Sequence, residues 1–317
     1  MNGIEHRISL RGEHQFGNRL PTHHLGYLFC ELPLVIRQAV SMALRSRSTV
    51  RGKRPAWLKR ASDVRFVDYT ANGEVALRFE APSLADAAPE VYQQQSLFPG
   101  LRPAPTDTGF DLLGDVLSDV QREEADSEHY DSPLLRRITR FQKFFHQGPF
   151  KEIDFTSTRY PSEHPVRFTS TTIESAKTLL GRTPTPQRVR LVGQLDGIEA
   201  STQRFSILLD SGEKVSGVFA AEQIDTMQSL WRQRVLVLGD VLYRVSGRVL
   251  RVEADEVRPG NNEPSVFSQL PTPPHARFDA SSLRVPQGAR SGMAAIMGQW
   301  PGDETDAEVM AALEQLS

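Results

Sequence analysis

A single cysteine, Cys30, occurs in the 317 residues of this chain. An internal disulfide is therefore excluded, and the composition fits a reducing compartment. Charge of one sign is also scarce in excess: 37 Lys and Arg against 39 Asp and Glu leave a formal net charge of -2. That balance excludes a globally basic protein, so any nucleic acid must be held by a local patch. No run of about 18 apolar residues occurs, which argues against a membrane span. The start, MNGIEHRISL, lacks the apolar stretch of a signal peptide, and the expected location is the cytoplasm.

Signatures of catalysis are missing as well. There is no Gly-rich phosphate loop, no G-x-S-x-G and no cysteine-based metal pattern. His23 and His24 are adjacent, so on a helix they diverge instead of forming the i, i+4 pair of a zinc helix. Cys30 sits in an apolar helical pattern and reads as a small core residue, not a nucleophile. The carboxylates come in runs, such as Glu123, Glu124 and Asp126, that read as solvated faces. The expectation is a protein that is not an enzyme, with no catalytic residue, no metal and no cofactor.

What is present is ample core material. Hydrophobic residues make up 39% of the chain, with 16 Phe, enough for two domains plus extensions. Residues 4–11 alternate as a first strand. Residues 22–44 carry Leu25, Leu28, Phe29, Leu32, Ile36 and Val40 on one helical face, with Thr22 as the N-cap and Pro33 as a kink or break. Residues 64–69 and 74–80, joined through Asn72-Gly73, predict a hairpin. Helices follow at 107–124 and 133–147, the second with Ser132 as its cap. Strands are expected at 150–156 and 166–169, and a short helix at 173–180 is ended by Gly181. Residues 1–182 thus read as one α+β domain, an antiparallel sheet with helices on it. Pro184 and Pro186 form a hinge.

Residues 188–258 give three strands, a helix and two strands. Their order resembles the OB-fold, a five-stranded Greek-key barrel with a helix between its third and fourth strands. An SH3-like barrel is the competing topology. Ile224, Met227, Leu230 and Trp231 form the stripe of that helix, and the alternation of Phe205 with Ile207 and Leu209 points Phe205 inward. Residues 259–291 are Pro-rich and read as a linker, and 292–317 as a tail with a short helix.

Two features carry functional weight. Between Glu31 and Asp63 there is no acidic residue, while Arg45, Arg47, Arg51, Lys53, Arg54, Lys59 and Arg60 accumulate around Trp57. With Arg190, Arg204, Lys214 and Arg248 on the barrel, these could neutralise phosphates, with Trp57 stacking on a base. The alternative is that the cluster caps a helix C-terminus and Trp57 is a core anchor. The second feature is the tail. Thr305 to Glu308 matches a capping box, and Val309, Met310, Leu313 and Leu316 form an apolar stripe. A helix of about twelve residues is marginal alone and must dock on something. Ile296, Met297, Trp300, Val309, Leu313 and Leu316 are the candidate anchors for a partner protein; folding back on the chain's own domain is the alternative.

The run from Gly298 to Asp306, followed by a short amphipathic helix, resembles the C-terminal tails of bacterial antitoxins paired with PIN-domain ribonuclease toxins. That resemblance covers only about the last twenty-five residues. It implies an antitoxin-like adaptor that binds its partner through the tail. In that family an arginine of the tail commonly reaches the toxin's acidic metal site; here only Arg277, Arg284 and Arg290 are available for it. Nucleic-acid binding by the barrel and the basic segment is the alternative function.

Overall fold

The computed structural model describes residues 3–12, 20–49, 54–70, 75–93, 102–146, 148–260 and 269–273. The architecture is α+β. Period-two alternation builds a five-stranded antiparallel sheet from β1 (Ile4–Gly12), β2 (Arg65–Thr70), β3 (Val75–Ala81), β4 (Phe150–Thr156) and β5 (Val166–Thr169), in the order β2-β3-β1-β4-β5. His6, Ile8 and Leu10 of β1, Leu77 and Phe79 of β3, and Ile153 and Phe155 of β4 turn inward and are buried. The opposite face carries cross-strand ion pairs such as Arg11 with Asp154 at 3.1 Å, as alternation demands of a half-buried sheet.

Helices cover the inner face: α1 (Thr22–Arg45), α2 (Ala56–Ala61), α3 (Leu84–Ala87), α4 (Pro89–Tyr92), α5 (Gly109–Gln121), α6 (Ser132–Thr139), α7 (Gln142–His146) and α8 (Ser170–Arg182). α1 runs unbroken through Pro33. Leu28, Leu32, Ile36 and Val40 are each fully buried, so packing compensates for the hydrogen bond that proline removes. By length and composition α1 could cross a membrane. In this fold its apolar face is instead packed into the core of the sheet domain. Phe141, Phe144, Phe145, Phe150 and Phe168 form a linked aromatic cluster beneath α7, with Phe144 stacked on Phe150 at 5.7 Å; such pairs add specific geometry to area burial.

Several local expectations are corrected. The N-cap of α1 is Pro21, without a side-chain cap, so Thr22 does not serve. The expected single helix 133–147 is two, α6 and α7: Phe141 is buried between them, and the Arg140 carbonyl accepts from the Lys143 N–H at 3.2 Å and from the Tyr27 hydroxyl at 2.8 Å. Its cap is Asp131, one residue before Ser132. Gly181 lies inside α8 and does not end it. Cys30 is exposed, on the outer face of α1, and is not a core residue. Phe29, placed on the apolar face by periodicity, is 36% exposed.

The second module comprises β6 (Gln187–Glu199), β7 (Arg204–Leu209), β8 (Lys214–Val218), a short 3-10 turn, α9 (Ile224–Ser229), β9 (Arg234–Tyr243) and β10 (Val249–Pro259). The strands close on themselves in the order β10-β8-β7-β6-β9, all antiparallel except the β8–β10 pair. Phe205, Ile207, Val237 and Val252 fill the interior with no exposure, and Phe205 faces inward as its alternation requires. Met227 and Leu230 of the helical stripe are buried, but Trp231 is 40% exposed and lies against Arg232.

Both modules belong to one compact unit, Met1–Pro273; the second unit, Pro274–Ser317, lies outside the described residues. In the barrel, Gly217 allows the Phe205 ring to sit against β8. A Cβ there would lie 2.3 Å from two ring carbons and 2.8 Å from the Val252 carbonyl oxygen. Gly217→Ala is therefore expected to lower the unfolding free energy by about 1–3 kcal/mol, the usual range for overpacking. Urea denaturation measures it, and an unchanged midpoint would contradict this packing.

Candidate functional site: a charged cavity where the barrel meets the sheet domain

One buried carboxylate is shared between the barrel and the sheet domain. Asp131 and Arg251 are each 1% exposed at the side chain and meet at 2.9 Å. Asp131 also accepts from the Ser48 N–H at 3.1 Å, from the Ser48 hydroxyl, and from the Leu134 N–H at 3.2 Å as the cap of α6. One carboxylate thereby answers a loop, a helix and a strand of the other module. Arg251 donates further to Glu253 at 2.7 Å. Buried ions are tolerated only when paired and hydrogen-bonded in this way.

Around this contact the turns of the barrel are pinned. The β9–β10 turn donates from the Ser246 N–H to the Ala125 carbonyl at 3.0 Å and from Arg244 to the Asp126 carbonyl at 2.8 Å. Arg248 pairs with Asp126 at 2.7 Å. Val245, at the tip, joins the apolar core of the sheet domain. At the β6–β7 turn, Gln203 accepts from Arg45, the last residue of α1. Glu199 pairs with Arg102 at 2.6 Å, and both are largely buried.

Beside the junction lies a cavity of about 890 Å³. The end of α1 contributes Met42, Ala43 and Ser46. Residues 102–104, Leu112 and Asp115 of α5, Glu128, His129 and Arg159 complete the wall from the sheet domain. The barrel contributes Arg204, residues 213–216 of the β7–β8 hairpin, Arg244 and residues 247–250; Leu270 to Pro273 closes one side. That last segment is held by the Tyr243 hydroxyl, which donates to the Pro271 carbonyl at 3.1 Å. Among the described residues, six cationic side chains, Arg102, Arg159, Arg204, Lys214, Arg244 and Arg248, and three carboxylates, Asp115, Glu128 and Glu213, line it.

His129 adds a titratable group. Its Nδ1 lies 2.7 Å from Asp119, whose carboxylate also accepts from the Ser127 hydroxyl at 2.6 Å. The hydrogen bond to Asp119 raises the imidazole pKa above its ordinary value, with burial working against it. Arg159 bridges Asp107 and Asp115, and the Tyr160 hydroxyl donates to Asp115 at 2.8 Å. Among the described residues, no group of three or more His, Cys, Asp or Glu is arranged to hold a metal ion.

Of the residues singled out from sequence, Arg204, Lys214 and Arg248 are brought together on this cavity. Lys214 pairs with Asp196 at 2.6 Å and Arg204 is 3% exposed. Arg54, Lys59 and Arg190 are exposed elsewhere, and none lines it. Arg60 is held by Glu90 at 2.7 Å and by the Ala87 carbonyl at 2.8 Å. Trp57 is 3% exposed within the core and offers no face to a base. Arg51, Lys53 and the tail residues Ile296, Met297, Trp300, Val309, Leu313 and Leu316 lie outside the described residues. Sequence reasoning missed Asp131, Asp126, Glu128 and His129. The only local signal was Asp131-Ser132-Pro133, a cap followed by proline in the first helical turn.

Removing Asp131 would leave the buried Arg251 with Glu253 alone and the Ser48 and Leu134 N–H groups without their acceptor. Asp131→Ala is expected to cost about 3–5 kcal/mol, as for other broken buried pairs. Calorimetry of the full chain measures it, and a loss below roughly 1 kcal/mol, the size of an ordinary hydrogen bond, would show that the contact is incidental.

Comparison with protein-family models, with curated proteins and with solved structures finds no match, so the functional reading rests on this chain's own residues.

Proposed function

We propose that this chain is a non-enzymatic adaptor of the cytoplasm that binds a partner protein, antitoxin-like in its C-terminal tail. The observation that carries the reading is an exposed apolar edge. β2 is the outermost strand of the sheet, and Phe66, Val67 and Tyr69 on it are 46%, 47% and 42% exposed. Phe29 of α1 lies 5.2 Å from Phe66, ring to ring. An open strand edge with aromatic side chains beside it is costly to leave bare and suits a protein surface. The tail anchors Ile296, Met297, Trp300, Val309, Leu313 and Leu316 supply a second point of attachment. The likeness of 298–306 to antitoxin tails makes a PIN-type ribonuclease the first partner to test.

The barrel is read as an OB-fold, supported by the parallel β8–β10 pair and by α9 between its third and fourth strands. In such barrels the turns that here hold Gln203 and Ser246 are ligand-binding loops. Both are engaged by the sheet domain, which supports a structural role for the barrel. Nucleic-acid binding through the barrel and the basic 45–60 segment is the second reading, favoured by the excess of cations over carboxylates on the cavity wall.

The test is a pull-down from lysate of the source cell with three baits: native chain, Trp300→Ala, and Phe66→Glu with Tyr69→Glu. The adaptor reading predicts one partner protein recovered by the native bait, lost with either variant, and no change in the melting temperatures of the purified variants. Equal recovery with all three baits overturns it. Recovery of nucleic acid that falls away steeply with salt supports the second reading.

A further inference from the structure

We propose, on the basis of the adaptor reading, that the outer face of α1 and the β2 edge bind a short amphipathic helix of the partner protein, its apolar stripe on Phe29, Phe66 and Tyr69 and its acidic side toward Arg37 and Arg54. Phe66 and Tyr69 point to the helix-covered side of the sheet, because they pair across with Phe79 and Leu77, which are buried. Phe66 meets Phe29 and Phe79 ring to ring at 5.2 and 5.7 Å, and Phe29 lies 6.0 Å from Phe79. The exposed rings are thus anchored on the core. They offer rigid apolar contacts that lose little freedom on binding.

Charge sets the sign of the partner. Gly26, Phe29 and Cys30 are exposed along α1, and Glu31, the helix's one carboxylate, is held by Arg137 at 3.0 Å. Arg37 follows Phe29 by eight residues, about 12 Å along a helix. Burial lowers its pKa, and the charges that add to this are those of Arg54 and Arg137, both cations. Arg54 is exposed, and among the described residues no carboxylate pairs with it or with Arg37. Arg140, beside Tyr27 at the other flank of α1, is exposed as well. Unmatched cations next to an apolar patch steer an acidic partner in and repel a basic one. A second copy of this chain would bring the same cations against themselves.

The backbone of β2 separates a helix from other occupants. Its register shifts between Phe66 and Asp68, so Val67 has no partner on β3 and stands 47% exposed. A bulge there interrupts the ladder that a sixth strand would extend, which leaves side-chain docking as the way to cover the edge. A lipid surface would suit the apolar side chains and the cations, and α1 is apolar enough by composition. It would also press the open N–H and C=O groups of an edge strand against hydrocarbon, where nothing satisfies them; a protein contact leaves them at its wet rim. An amphipathic helix of three turns, about 16 Å long, covers the aromatic cluster and reaches Arg37.

The test is binding to the full chain of two labelled sixteen-residue peptides, followed by fluorescence anisotropy, and of phosphatidylserine vesicles, followed by co-sedimentation. One peptide has leucine at helical spacing and glutamate elsewhere; the other has lysine for glutamate. Saturable binding of the glutamate peptide is expected, weakened by salt and at least tenfold tighter than that of the lysine peptide. Arg37→Glu with Arg54→Glu should weaken the glutamate peptide at least tenfold and strengthen the lysine one, a reversal that misfolding does not give. Should that pair fail to fold, Arg54→Glu alone, at an exposed position, is expected to weaken the glutamate peptide at least threefold. No binding of that peptide at millimolar concentration, or equal binding of both peptides, overturns the proposal. So does binding of the vesicles in its place, which would assign the face to a membrane, or dimerisation of the chain that Phe66→Glu with Tyr69→Glu abolishes, which would assign it to a second copy. In the lysate pull-down, a partner lost with Phe66→Glu and Tyr69→Glu but kept by Arg37→Glu with Arg54→Glu preserves the adaptor reading and overturns the acidic helix, whereas equal recovery with every bait overturns both.

Discussion

The structure depends on how one buried carboxylate, Asp131, is shared. It caps α6, fixes the loop after α1 through Ser48, and receives Arg251 from the last strand of the barrel. Without it the Ser48 and Leu134 N–H groups would be idle donors and Arg251 would keep only Glu253. The two modules have separate apolar cores, linked where Val245 and Leu250 of the barrel pack on that of the sheet domain. Polar contacts, beside that small apolar one, therefore set how the barrel is held. Such contacts are directional, and they fix an orientation that apolar burial alone would leave degenerate.

That mode of attachment has a consequence for charge. The turns of the barrel that meet the sheet domain bring arginines, and the sheet domain answers with Asp126, Glu128 and Asp131. Most cations at the junction are matched pair by pair, as Arg102 is with Glu199. Arg45, also buried, is answered by the neutral amide of Gln203 instead of a carboxylate. A near-neutral chain can thus concentrate charge of both signs at one junction, which the overall charge does not reveal.

Much of the fold was legible in the sequence because period-two and period-3.6 patterns survive wherever one face of an element is buried. The β2–β3 hairpin, the strands at 150–156 and 166–169 and the order of the barrel elements were readable on that ground. What was not readable depended on tertiary packing. Pro33 does not break α1 because the flanking side chains are locked in the core, and the helix at 133–147 divides at Phe141, which is buried. Periodicity also put Cys30, Phe29 and Trp231 inside, since it marks a face but not how far a partner covers it. The cavity was largely hidden. Its wall draws on residues from 42 to 273, and no local window of sequence contains the pairing of Asp131 with Arg251.

The central claim is that the barrel and the sheet domain are held as one unit through Asp131. Native-state hydrogen exchange on the full chain tests it most directly, by comparing the Val252 amide of β10 with the Leu135 amide of α6. A shared opening, with equal free energy and equal denaturant dependence at both sites, is the result this account predicts. Exchange at Val252 through a distinctly cheaper opening, with Leu135 still protected, would mean that the barrel unfolds on its own and would contradict it.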